Sequence, residues 1–126
     1  MTIEFHPRAG CVLMCDFYGY VEPEIIKARP IVIVSPKHIS RGGLYTVIPL
    51  STTAPDPVEK YHYKLLKDPI PNSNEEVWAK CDMVCTVCVE RLDRFKVGHR
   101  AWKTSAISDE ELAAIQACMK YALGIN

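Results

Sequence analysis

The sequence predicts a small, mostly antiparallel β barrel with one helix at its C-terminus, in a single domain over residues 1–126. Three observations carry this. Short apolar runs separated by turn-rich loops follow one another along the chain, without the intervening helical patterns that βαβ units need. One run, Ile31-Val32-Ile33-Val34, is wholly β-branched and bounded by Pro30 and Pro36, so it reads as a strand buried on both faces at the centre of the core. Near the end the period changes: Ser108-Asp109-Glu110-Glu111 has the form of a capping box, and Leu112, Ile115, Met119 and Leu123 follow at helical spacing.

The elements follow in order. Gly10–Phe17 reads as the first strand, and Tyr18–Ala28, with its glycine, its proline and the carboxylates Glu22 and Glu24, as an exposed loop or hairpin. Arg29 stands where that loop enters the central strand. A guanidinium at the mouth of a rigid strand can bind an anion; pairing with a surface carboxylate is the alternative. Lys37, His38 and Arg41 form a basic turn before a third strand, Leu44–Leu50, which runs into the hydroxyls of Ser51, Thr52 and Thr53. Such hydroxyls commonly bond their own backbone.

Beyond the proline-rich loop, Tyr61, Tyr63 and Leu65 alternate with His62 and Lys64 as in a strand with one wet face, and 67–76 reads as a mobile flap. Val77–Val87 reads as one long strand with its odd positions in the core. Lys80 and Asp82 then leave its other face about 7 Å apart, a distance that suits a shared polar site or a plain ion pair. From Glu90 to Thr104, Arg91, Arg94, Lys96, Arg100 and Lys103 interleave with Phe95, His99 and Trp102, a pattern that suits single-stranded nucleic acid or a solvated hairpin.

Fifteen basic and fifteen acidic residues cancel, so no whole-molecule field draws the chain to nucleic acid or membrane, and any anion site is local. The first residues, MTIEFHPRAG, hold no signal-like apolar run, and no segment has bilayer-spanning length, which suggests a cytoplasmic protein with no membrane partner. In that compartment the six cysteines are expected as free thiols, most of them small core residues. The C-x3-C-x2-C spacing of Cys81, Cys85 and Cys88 matches an iron–sulfur motif only in form, because it falls in a strand-like stretch with Cys88 on the face opposite the others. No histidine spacing completes a zinc site, and neither metal nor cofactor is called for.

Taken together, GCVLMCDF, the glutamate-bearing loop, KARPIVIVSP, VIPLSTT, WAKCDMV and SDEELAAIQACMKYALG resemble, in order and over most of the chain, the PemK/MazF (Kid) toxins of toxin–antitoxin systems. The resemblance implies an SH3-like antiparallel barrel with a C-terminal helix, usually homodimeric. It implies a metal-independent endoribonuclease that cuts single-stranded RNA by 2′-OH attack, leaving a cyclic phosphate, and that an antitoxin protein neutralises. On this reading Arg29 stabilises the phosphorane, and Ser51 stands where the family usually has threonine, with Thr52 as its backup. Glu24 and Asp82 each match a carboxylate given the role of base in some members, which leaves the base unassigned. Lys80 replaces an arginine; Lys37, Arg41, Arg94, Lys96 and Arg100 are candidate RNA contacts. Two other classes compete: a toxin that binds a protein target such as DNA gyrase, because a gyrase-poisoning family shares the barrel, and a degenerate binding module.

Overall fold

A computed structural model of the protein describes residues 3–37 and 41–126; His38 of the basic turn lies outside the described residues. In chain order the elements are β1 (Cys11–Cys15), β2 (Arg29–Ile33), β3 (Leu44–Ser51), β4 (His62–Lys64), β5 (Trp78–Lys80), β6 (Cys85–Cys88), β7 (Leu92–Asp93), β8 (Phe95–Gly98), β9 (Ala101–Lys103), β10 (Ser105–Ala106) and α1 (Asp109–Leu123). Eight strands make one sheet, ordered β10-β1-β2-β3-β5-β4, with β6 also on β3 and β7 also on β1. All its pairs are antiparallel, and its path runs from β10 to β4, so it is barrel-like without being strictly closed. β8 and β9 form a separate hairpin.

The β-branched run is the centre of this sheet, with β1 on one side and β3 on the other. Ile31, Val32 and Ile33 are fully buried because each face of the sheet carries its own core. Val12, Val32, Ile48, Leu50 and Ala79 meet Ile115 of α1 on one face. Leu13, Cys15, Ile31, Ile33 and Val47 meet Phe17 and Leu92 on the other. The proline boundaries differ from expectation at one end: Arg29 and Pro30 are within β2, paired with Cys15 and Met14 of β1. Proline is tolerated there beside the strand's first residue.

The expected single strand Val77–Val87 is broken. From Val47 to Leu50 on β3 is three steps, whereas their partners Cys85 and Ala79 are six steps apart. The surplus is wound into a 3₁₀ turn at Cys81–Met83. The turn also switches the buried face: Val77, Ala79 and Cys81 belong to the helix-side core, whereas Val87, with Cys85 beside it, belongs to the other, and the run of apolar odd positions hides this change in the sequence.

The helix begins where its capping signal sets it, with Ser108 Oγ accepting from the Glu111 N–H at 3.2 Å. The reciprocal half of the box is absent: Glu111 Oε1 instead accepts from the Leu66 N–H and the Tyr63 hydroxyl. Leu112, Ile115 and Met119 pack on the sheet, joined by Cys118, but Leu123 in the last turn is 55 % exposed. Gly124 ends the helix at φ 70°, a left-handed value suited to glycine. The irregular segment 66–76 is gathered on Asp68, whose carboxylate accepts from the Ile70 and Glu75 N–H groups and the Ser73 hydroxyl.

Candidate active site

Arg29 and Ser51 come from neighbouring strands. Ile31 pairs with Pro49, and this register carried two residues further sets Arg29 across from Ser51. Both then share the face of Ile31 and Pro49, opposite the helix. Arg29 is exposed, and no acidic group among the described residues lies within ion-pair distance of its guanidinium. Ser51 Oγ accepts from the Thr53 N–H at 3.1 Å and donates to the Thr53 carbonyl at 3.4 Å, so the hydroxyl fixes its own turn while keeping a lone pair toward solvent. Thr52 is exposed beside it.

The two carboxylates left open as alternatives, Glu24 and Asp82, line one cavity of about 320 Å³ with Pro49, Tyr20, Met83 and Cys85. Different devices bring them there. Arg91 Nη1 donates to the Asp16 and Tyr18 carbonyls at 2.9 and 2.8 Å and lies over the Tyr20 ring, which fastens the start of the loop. Further along, Glu24 Oε1 accepts from the Val21 N–H at 2.7 Å and closes its own turn. Asp82 is delivered by the 3₁₀ turn, in the manner of a bulge that re-aims a side chain. Burial raises the Cys85 thiol, with the Glu24 charge adding to it, and burial raises the Tyr20 phenol, so both stay protonated near neutrality.

Other expected contacts lie apart. Lys37 and Arg41 line a separate cavity with His6 and Tyr45, beyond the far end of β3, whose eight residues span roughly 23 Å. Arg94 and Lys96 lie over the Trp102 ring, 5.3 and 5.7 Å from its centroid, on a hairpin whose Phe95 and Val97 belong to the helix-side core. Arg100 sits in the hairpin turn at φ 55°. Lys80 is half-buried on the face of Ser51, and Trp78, directly across from Ser51, shares that face. Trp78 was legible as a neighbour of Lys80 by alternation, but its place beside Ser51 depends on strand register. Among the described residues no group of three histidine, cysteine or acidic side chains could hold a metal ion, and no helix is long and apolar enough to cross a membrane. All six cysteines are free, with Cys88 exposed.

Residues 8–123 match the sequence profile of PemK-like, MazF-like toxins of type II toxin–antitoxin systems. The chain belongs to this family. It is 29% identical over 138 aligned positions to the protein YifN of Escherichia coli K12, with 92% of this chain and 91% of that protein covered. Its fold is similar to MazF from Deinococcus radiodurans, at a TM-score of 0.73 and 18% identity over 97% of this chain and all of that one. A mycobacterial endoribonuclease solved with its cognate antitoxin is similar at 0.66 and 21% identity, over 95% of this chain and 97% of that one. The barrel-like sheet with its C-terminal helix is thus the MazF-like fold. In this MazF-like toxin the end of β2, the end of β3 and the 3₁₀ turn converge on one side of the sheet.

Proposed function

We propose that this toxin is a metal-independent endoribonuclease that cleaves single-stranded RNA through its own 2′-hydroxyl. The observation that carries the reading is that Glu24 and Asp82 share a cavity with Pro49, on the face of β2 and β3 where Arg29 stands beside Ser51 without an ion-paired carboxylate among the described residues. A carboxylate takes the 2′-OH proton, O2′ bonds to phosphorus as the bond to O5′ breaks, and the leaving oxygen is protonated from solvent. The products are a 2′,3′-cyclic phosphate and a 5′-OH. Arg29 meets the negative charge of the phosphorane with a fixed fork of donors, and the Ser51 hydroxyl adds another by turning from the Thr53 carbonyl, a long contact of 3.4 Å. DNA lacks the nucleophile and is not a substrate. Thr52 and Lys80 hold the RNA beside the reacting phosphate, while Lys37, Arg41, Arg94, Lys96 and Arg100 contact longer substrates. The toxin acts in the cytoplasm as a homodimer, and an antitoxin segment covers the same face.

The test is cleavage of a long single-stranded RNA in EDTA by the wild type and by Arg29→Ala, with fragment ends identified. Cyclic-phosphate and 5′-OH ends from the wild type, with at least a hundred-fold loss in the variant, are expected on the scale of removing one charge-stabilising donor. Equal cutting by both overturns the assignment of Arg29. Inhibition of gyrase supercoiling without RNA cleavage overturns the enzyme reading in favour of a protein target.

A further inference from the structure

Ser51 sits within a row that crosses four strands. Trp78 of β5 is directly across from Ser51, and Lys64 of β4 is directly across from Trp78. On the other side of Ser51 the β2–β3 register brings Arg29. Opposed residues in an antiparallel ladder project to the same face. Leu50 and Ala79, one step off the row, belong to the helix-side core, so Arg29, Ser51, Trp78 and Lys64 leave on the opposite face. At the usual strand spacing the row spans roughly 14 Å. Two residues away Lys80 and His62 are paired and share this face. His62 Nδ1 accepts from the Glu59 N–H at 3.0 Å, which leaves the proton on Nε2 as a donor.

Trp78 is unusual in this setting. Its ring is only partly covered, yet its Nε1 is buried and has no hydrogen-bond partner among the described residues. A tryptophan N–H normally finds an acceptor when buried. Here no polar contact pins the ring, which stands on the sheet surface between a hydroxyl and a lysine.

We infer that this row is a substrate track, on which the base flanking the scissile phosphate stacks on Trp78 and the next phosphate is bound by Lys64, with Lys80 and His62 as further donors. The inference rests on the ribonuclease reading and extends it to residues outside the reacting set. An aromatic face between cations is how single strands are held without reading sequence. Glu76 opposes it, holding Lys64 at 2.9 Å, with side chains 67% and 49% exposed. An ion pair so exposed is weak, and a phosphate oxygen displaces it.

The experiment is titration of the full chain with a fluorescein-labelled 2′-O-methyl oligoribonucleotide, which lacks the nucleophile, following oligonucleotide anisotropy and tryptophan fluorescence together. Saturable quenching is expected in the wild type and in Trp102→Phe, and its loss in Trp78→Phe. Trp78→Leu weakens binding roughly ten-fold or more. Lys64→Gln, at an exposed position that does not endanger folding, weakens binding and lowers the slope of log K against log salt by about 0.7, whereas Glu76→Gln tightens binding. Binding by anisotropy that leaves Trp78 unquenched, or that is indifferent to Lys64→Gln and Glu76→Gln, overturns the track while the ribonuclease reading stands. A wild type that neither binds nor cleaves RNA overturns both.

Discussion

On the ribonuclease reading proposed above, Arg29 and the two carboxylates would divide the chemistry by what their groups can do. A guanidinium is a fork of donors with no acceptor, so it would stabilise charge, and proton removal would fall to Glu24 or Asp82. Their settings differ. Glu24 spends one oxygen on the Val21 N–H, whereas no hydrogen bond fixes the exposed Asp82 carboxylate among the described residues. A base must be free to turn toward the 2′-OH, which favours Asp82 as the base and Glu24 as the residue that shapes the loop. Asp82→Asn is therefore expected to lower kcat by about 10²–10⁴-fold in single-turnover cleavage. Glu24→Gln keeps an acceptor for the Val21 N–H and should change KM more than kcat. A larger loss of kcat in Glu24→Gln than in Asp82→Asn would exchange the two roles.

At the scale of elements, Glu111 links helix to sheet. Only 6% exposed, its carboxylate accepts from the Tyr63 hydroxyl at 3.1 Å and the Leu66 N–H at 2.6 Å, joining the first turn of α1 to β4 and the segment after it. Glu111→Ala leaves both donors without an acceptor and should cost about 2 kcal/mol in urea unfolding. Burial, then the hydrogen bond to Glu111 and its charge, push the Tyr63 phenol up to about 12. The folded state thus holds this proton more tightly than the unfolded chain, whose phenol titrates near 10. Its contribution is intact below pH 10 and is lost as pH rises toward 12. The thiols of Cys15 and Cys81, pushed up to about 12 mainly by burial, add to the alkaline loss in every variant. The difference in unfolding free energy between wild type and Tyr63→Phe should therefore shrink from pH 9 to 11.5, and a constant difference would refute the linkage.

Glu111 also shows where the sequence is ambiguous. The S-x-x-E signal placed the helix start correctly because the Ser108 cap is local, but the partners of the glutamate lie 45 and 48 residues away. β2 was legible because four consecutive β-branched residues need two buried faces. The 3₁₀ turn was not, because its cause is a register mismatch against β3, and apolar residues stand at odd positions on both sides of it although the buried face changes. For the same reason Glu24 and Asp82 could be read individually, but their common cavity could not. Lys37 and Arg41 were legible as a basic turn, while their distance from Arg29 follows from the length of β3.

For the whole molecule, a formal charge of zero means that a polyanion is attracted by patches and not by a net field. Two described patches compete for that role. One is the Arg29–Lys64 row; the other is the β8–β9 hairpin, where Arg94 and Lys96 flank Trp102 and the turn ends in Arg100. The hairpin is anchored through Phe95 and Val97 to the helix-side core, so it lies across the sheet from Ser51, and a strand reaching both must wrap around an edge. Long RNA can do so, but an oligonucleotide confined to the row cannot. Neutralising Arg94, Lys96 and Arg100 together should therefore lower the salt slope for long RNA by about 0.7 per charge removed. For an oligonucleotide short enough to occupy only the row, the slope should not change. If the long-RNA slope is also unmoved, RNA contact excludes the hairpin, whose cations then serve only to solvate the outer surface of the strands covering the helix-side core.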